Sequence, residues 1–234
     1  MGTLLEIIQD ATDLLSIPRP TSVVFSTDQQ VRQLYALANE QGKEMAGSYD
    51  WQVMREQHTF VTTATPAQTT AVPDDWDRFI HDSFFNRTQM RSVIGPITPQ
   101  QWQSIQAQPQ LNRVFLAFIQ RHGQFLITPT PAAGETIAYE YASKNWCKSS
   151  EDVPQSRFLA DSDTTYIDSY LFTLGIRWRF LKSKGLDYAE DFRTYQSELA
   201  QVQARDGGNG QINTTGDGQY ILSPNIPVGS YPGP

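Results

Sequence analysis

The 234 residues, 39% hydrophobic and 12% aromatic, suffice for one compact domain or two small ones with a real core. A formal net charge of −7 excludes a protein that wraps nucleic acid by neutralising phosphates, which needs clustered excess Lys and Arg. The single cysteine, Cys147, excludes an internal disulfide framework and a multi-cysteine zinc site, fits synthesis in a reducing cytoplasm, and reads as a packed small hydrophobe beside Trp146.

The chain opens on LLEIIQDATDLL, where Leu4, Leu5, Ile8, Ala11 and Leu15 recur every three or four residues and predict an amphipathic helix ending before Pro18 and Pro20. Glu6, Asp10 and Asp13 interrupt its apolar run, far short of the roughly 20 residues a membrane span needs, so no membrane anchor is expected. A basic segment followed by an apolar core and a cleavage site is also missing, so no signal peptide is expected. Thr27 or Asp28 is placed to cap a second helix carrying Val31, Leu34, Tyr35, Ala38 and Met45 on one side and ending near Gly47.

From Trp51 to Trp146 the pattern becomes that of antiparallel strands. HTFVTTAT, VFLAFIQ, FLITPTP and ETIAYEYAS are short, rich in β-branched and aromatic residues, and separated by Pro, Gly and Asn. Arg121-His122-Gly123 predicts a tight hairpin, and Thr98-Pro99 a capped helix of one or two turns. A loop over KSSEDVPQSRFLADSD follows. Ile167, Leu171, Leu174, Trp178 and Leu181 then form a core-facing helical stripe, with Asp161 and Asp163 read as lying at its cap. Gly185 ends that helix, and Asp187 with Glu190 reads as a capping box for the last one, with Tyr188, Phe192, Tyr195, Leu199 and Val202 inward. Beyond Gly207 the Gly/Pro/Asn/Ser-rich segment carries one charge, Asp217, and is expected to gain order only against a neighbouring chain.

The fold class read from this order is α+β. Helix pairs from residues 1–50 and 151–206 combine into one bundle, an antiparallel β domain over 51–150 is inserted between them, and 207–234 form an extended C-terminal arm.

Short catalytic signatures are absent: there is no phosphate-binding glycine loop, no G-x-S-x-G and no H-E-x-x-H, and His58, His81 and His122 lack ligand spacing. No metal or cofactor is implied. Asp74, Asp75 and Asp77, or Asp161 and Asp163, could pair as acids of a glycan hydrolase, but turn and cap positions account for them through side-chain-to-backbone bonds. The densest positive cluster, Arg177, Arg179, Lys182 and Lys184, reads as an exposed flank of its helix, available to an acidic partner or a neighbouring subunit.

STDQQVRQLYALANEQGKEMAGSYDW near the front and TLGIRWRFLKSKGLDYAEDFRTYQSEL near the back, set around the β segment, resemble the head-to-tail adaptors of tailed bacteriophages, the group that includes the tail tubular protein A type. The resemblance covers nearly the whole chain. It implies a structural virion protein in the neck: a twelve-membered ring of identical subunits between the portal protein and the tail nozzle or tube. The helices would meet the portal, the β part would face the nozzle, and double-stranded DNA would pass through the lumen without specific binding. It also implies that the C-terminal arm reaches the portal or neighbouring subunits. Partner-binding residues expected on this reading are Arg177, Arg179, Lys182 and Lys184, with Tyr220, Ile221, Leu222 and Tyr231 on the arm. Glu151-Asp152 and Asp161-Asp163 are the acidic counterparts. A virion-associated peptidoglycan hydrolase is the alternative, and a sheet-based recognition module over residues 51–146 is a third reading.

Overall fold

The computed structural model describes residues 2–107 and 115–207. Helices α1 (Leu4–Leu14) and α2 (Gln29–Ser48) come first, and a single turn of 3-10 helix, Gln52–Met54, leads into the sheets. Six strands follow, three of them only two residues long: β1 (Arg55–Val61), β2 (Ala67–Gln68), β3 (Trp76–Phe79), β4 (Phe85–Asn86), β5 (Arg91–Ser92) and, after α3 (Pro99–Ala107), β6 (Ala117–Arg121). The rest are β7 (Gln124–Thr128), β8 (Thr136–Ser143), β9 (Cys147–Lys148), β10 (Pro154–Gln155), β11 (Thr164–Thr165), α4 (Ser169–Ser183) and α5 (Ala189–Asp206).

The helix starts follow local chemistry. Thr3 and Glu6 close a capping box on α1, Asp28 accepts from the Gln30 and Val31 N–H groups at the start of α2, and Thr98 exchanges bonds with Gln101 at α3. At nine residues, α3 is longer than the sequence predicts. The cap of α4 is Asp168, whose carboxylate accepts from Tyr170 N–H, and not Asp161 or Asp163. Helix α4 ends in a Schellman motif: Leu186 N–H bonds to Leu181 C=O and Gly185 N–H to Lys182 C=O, with Gly185 at φ +70°. The predicted capping box at α5 does not form. Asp187 instead accepts from Ala189 N–H, and the helix begins after Tyr188.

One core gathers both ends of the chain. Leu4, Ile8, Leu34 and Met45 pack with Trp146, Phe158, Leu171, Phe172 and Ile176 in one cluster, with Phe192, Leu199 and Val202 along its edge. Helix α4 sits at the centre, touching α1, α2 and α5. It is therefore buried around most of its circumference, including Gly175, Arg179 and Phe180, and not on the single stripe that spacing implies. The fold is α+β, a bundle made by the N- and C-terminal helix pairs around an antiparallel insertion.

The second core belongs to the sheets. In the five-stranded sheet β8 is central, paired along its length with β1 and on its other edge with β4 and β3. A three-stranded sheet runs β2-β7-β6, and β6 and β7 are joined by His122-Gly123, both with positive φ, a two-residue turn whose twist matches the strands. Phe84, Phe118, Phe125 and Tyr139 stack between the sheets, with Phe84 and Phe118 ring centroids 4.1 Å apart. A third small sheet, β10-β9-β11, lies within the segment that joins sheets to bundle. The two cores are clamped by Arg78 of β3. Its guanidinium donates to the Ala46 and Tyr49 carbonyls at the end of α2 and pairs with the Asp50 carboxylate.

Candidate interaction surface

Of the four cations predicted to form an exposed flank, the fold separates two from the rest. Arg179 is only 8% exposed. Its Nε donates to Gln41 Oε1 at 2.8 Å, Nη1 to Glu40 at 3.2 Å and Nη2 to Glu44, while the guanidinium lies 4.6 Å from the Trp178 ring centroid. Gln41 passes the contact on by donating from Nε2 to the Tyr195 hydroxyl at 2.8 Å, so one buried chain joins α4, α2 and α5. Burial pushes the Tyr195 hydroxyl pKa up. The expectation of an exposed Arg179 is thus overturned, and the cause is α2 packed on that flank. Gly175 makes this possible, because a Cβ there would stand 2.3 Å from Gln41 Cδ. Arg177 is half-buried and pairs with Asp191 of α5 at 3.1 Å.

Lys182 and Lys184 remain exposed at the end of α4. Lys182 lies over the Trp178 and Tyr188 rings at 5.7 and 6.0 Å, and Lys184 over Phe180 at 5.0 Å, so the stems cover apolar surface while the ammonium groups stay in water. Tyr220, Ile221, Leu222 and Tyr231 lie outside the described residues.

The acidic residues divide in the same way. Asp163 is 1% exposed and accepts from the Leu159 and Ala160 N–H groups. Asp161 accepts from Val23 and Val24 N–H at 2.8 to 3.1 Å, tying the α1–α2 linker to the segment before β11. Desolvation raises the Asp161 pKa, but bonds from Val24 N–H, the Ser22 hydroxyl and Val23 N–H together outweigh it and hold the group below the usual carboxylate range. Neither residue is free to serve as the acidic counterpart of the basic cluster. Asp152 pairs with Lys148, and Glu151 is exposed.

Of the acids weighed for hydrolysis, Asp75, Asp77, Asp161 and Asp163 are engaged in the fold, and Asp74 is exposed. Asp75 accepts from Tyr141 hydroxyl at 3.0 Å and Ser143 hydroxyl at 2.6 Å, and Asp77 pairs with Arg78. A glycosidase acid needs an apolar pocket that raises its pKa, whereas Asp161 is shifted the opposite way. Burial, then the Asp163 charge, pushes the Cys147 thiol up to about 12, which makes it a poor nucleophile. Among the described residues no group of three or more His, Cys, Asp or Glu side chains converges as a metal site. A groove of about 640 Å³ beside α3, lined by Ile94, Ile97, Ile105, Phe115 and Ala117, has no titratable side chain among its described lining residues. No described helix is long and apolar enough to cross a membrane.

Sequence reasoning missed two features. One is the Arg78 clamp, whose partners lie 28 to 32 residues away. The other is a groove of about 380 Å³ where α1 meets the start of α4, lined by Asp10, Asp13, Leu14, Ser169, Tyr170 and Thr173. The three-and-four spacing of Glu6, Asp10 and Asp13 already marked an acidic face of α1, but nothing local marked Tyr170 as its neighbour.

The surface therefore offers charged and apolar contact patches on a rigid bundle and no assembled catalytic constellation among the described residues. No curated protein matches the chain. The profile of the SU10 adaptor protein family matches residues 2–216, spanning the bundle and the inserted sheets alike. The chain belongs to the SU10 adaptor protein family and is a structural adaptor of a bacteriophage particle.

Proposed function

We propose that the chain is one subunit of a ring, twelve-fold as the resemblance implies, seated in the virion neck between the portal protein and the tail nozzle or tube. Residues 1–50 and 151–206 face the portal, 51–150 face the tail, and 207–234 form an arm that reaches the portal or adjacent subunits. Double-stranded DNA passes through the lumen during ejection, and the subunit has no hydrolase activity of its own.

Family membership across residues 2–216 carries this reading. Two physical features support it. An excess of seven acidic charges per subunit disfavours adhesion to DNA phosphates at short range, while ions screen the repulsion beyond about 10 Å. The hydrogen-bonded chain from Arg179 through Gln41 to Tyr195 braces the three longest helices, as a part that transmits load between two larger bodies requires. Electron microscopy of purified virions, together with mass photometry of this chain with and without its portal, tests the proposal. Density for the chain outside the neck, or a portal that captures no discrete multiple of subunits, overturns it.

A further inference from the structure

Two patches at opposite ends of α4 are complementary in chemistry. At the start of the helix, Tyr170 meets Asp10, Asp13 and Leu14 of α1 around the groove of about 380 Å³. Tyr170 and Leu14 are 52% and 50% exposed. The two carboxylates sit in the C-terminal half of α1, which has no basic residue in its last turn, and the negative end of a helix dipole disfavours acids there. Asp13 has one weak compensation, the exposed Arg19 at 3.4 Å, and Asp10 has no ion-pair partner among the described residues. At the other end of α4 stand Lys182 and Lys184, likewise without ion-pair partners among the described residues, and beside them Leu186 is 55% exposed. The helix, about 22 Å long at 1.5 Å per residue, keeps the two patches from neutralising each other within one chain.

We propose that the basic end of α4 in one copy docks into the acidic groove at the start of α4 in the next copy. This rests on the ring reading and names the contact that builds the ring. A second copy is the occupant because the under-paired carboxylates of α1 and the ammonium groups of α4 that lack ion-pair partners stand at opposite ends of one bundle, and joining them between copies pairs both. The contact brings together two different patches, the heterologous arrangement from which closed rings are made. Lysine suits the shallow groove because an ammonium on a flexible stem needs no bidentate geometry. Leu14, Tyr170 and Leu186 supply apolar area around the charges.

The test is mass photometry of the full chain mixed with its portal, using the double variants Asp10→Lys/Asp13→Lys and Lys182→Glu/Lys184→Glu, each checked for a wild-type melting profile. Either variant alone is expected to give about tenfold less ring than wild type, since like charges then face each other at every contact. An equal mixture is expected to assemble again, because alternating copies restore opposite charges all round an even-numbered ring. The inference is overturned if a double variant assembles as wild type does, if two folded variants stay unassembled when mixed, or if the mixture stops at closed pairs. Loss of portal capture by the lysine variant alone, with the aspartate variant normal, also overturns it and places the lysines against the portal. If the wild-type chain forms no ring on its portal, the ring reading itself falls, and that outcome is distinct from all the others.

Discussion

Asp161 and Arg179 show how charged side chains are used inside this bundle. Asp161 holds the α1–α2 linker by accepting backbone N–H groups, and because these bonds favour the ionised form its pKa is depressed on folding. Its stabilisation is therefore fully present above the unfolded value of about 4 and disappears as pH falls through the lower folded value. Asp161→Asn is expected to cost about 1–2 kcal/mol at pH 7, discounted for partial exposure, and the two proteins should converge in stability under strong acid. Urea unfolding at pH 7 and pH 2.5 measures the difference. Arg179 is more deeply placed, and Arg179→Met leaves Gln41 Oε1 without its buried donor while sparing most of the packed volume. A loss of about 2–3 kcal/mol is expected, less than for a fully buried ion pair because Glu40 and Glu44 can return to water. An unchanged urea midpoint would remove the network from any account of stability.

At the level of elements, the contest between helix propensity and packing is decided at Gly175. Alanine there gains about 1 kcal/mol of propensity. Its Cβ, however, meets the Gln41 amide, which is fully buried and held by hydrogen bonds to Arg179 and Tyr195. Gly175→Ala is expected to be destabilising by about 1–2 kcal/mol net, and a second change, Gln41→Ala, should remove most of that penalty in a double-mutant cycle. Much of the element pattern was legible in the sequence: the apolar spacing of α1, α2, α4 and α5, the Asp28 and Thr98 caps, the Gly185 stop and the His122-Gly123 hairpin are all local codes. What was not legible is tertiary. Arg179 looks like a surface residue because its partners Glu40, Gln41 and Glu44 lie 135 to 139 residues earlier. The two-residue strands β2, β4, β5, β9, β10 and β11 are too short for any periodicity and exist because neighbouring strands offer them hydrogen bonds. The acidic groove was half visible, in α1, and half hidden, in Tyr170.

At the scale of the whole molecule, the bundle and the sheets keep separate cores yet share one joint. Trp51 Nε1 donates to Met45 C=O, and Arg78 reaches from β3 to the carbonyls that end α2. Arg78→Ala leaves both cores intact and removes the cap and the Asp50 pair together. The expected result is a modest loss of about 1–2 kcal/mol with faster amide exchange confined to residues 46–54. Exchange that instead rises uniformly through the β8 amides would show that the two cores unfold as one unit and that Arg78 is no local clamp. The same joint also receives the far end of the chain. Tyr49 hydroxyl donates to Gln203 C=O, Gln52 N–H to the Asp206 carboxylate, and the Gln52 side-chain amide to Asp206 C=O. In mechanical terms these three bonds are a strain relief. Tension applied to the polypeptide past Gly207 is shared through these bonds with the Tyr49–Gln52 span, where α2 and β1 are covalently continuous, and is not borne by α5 alone.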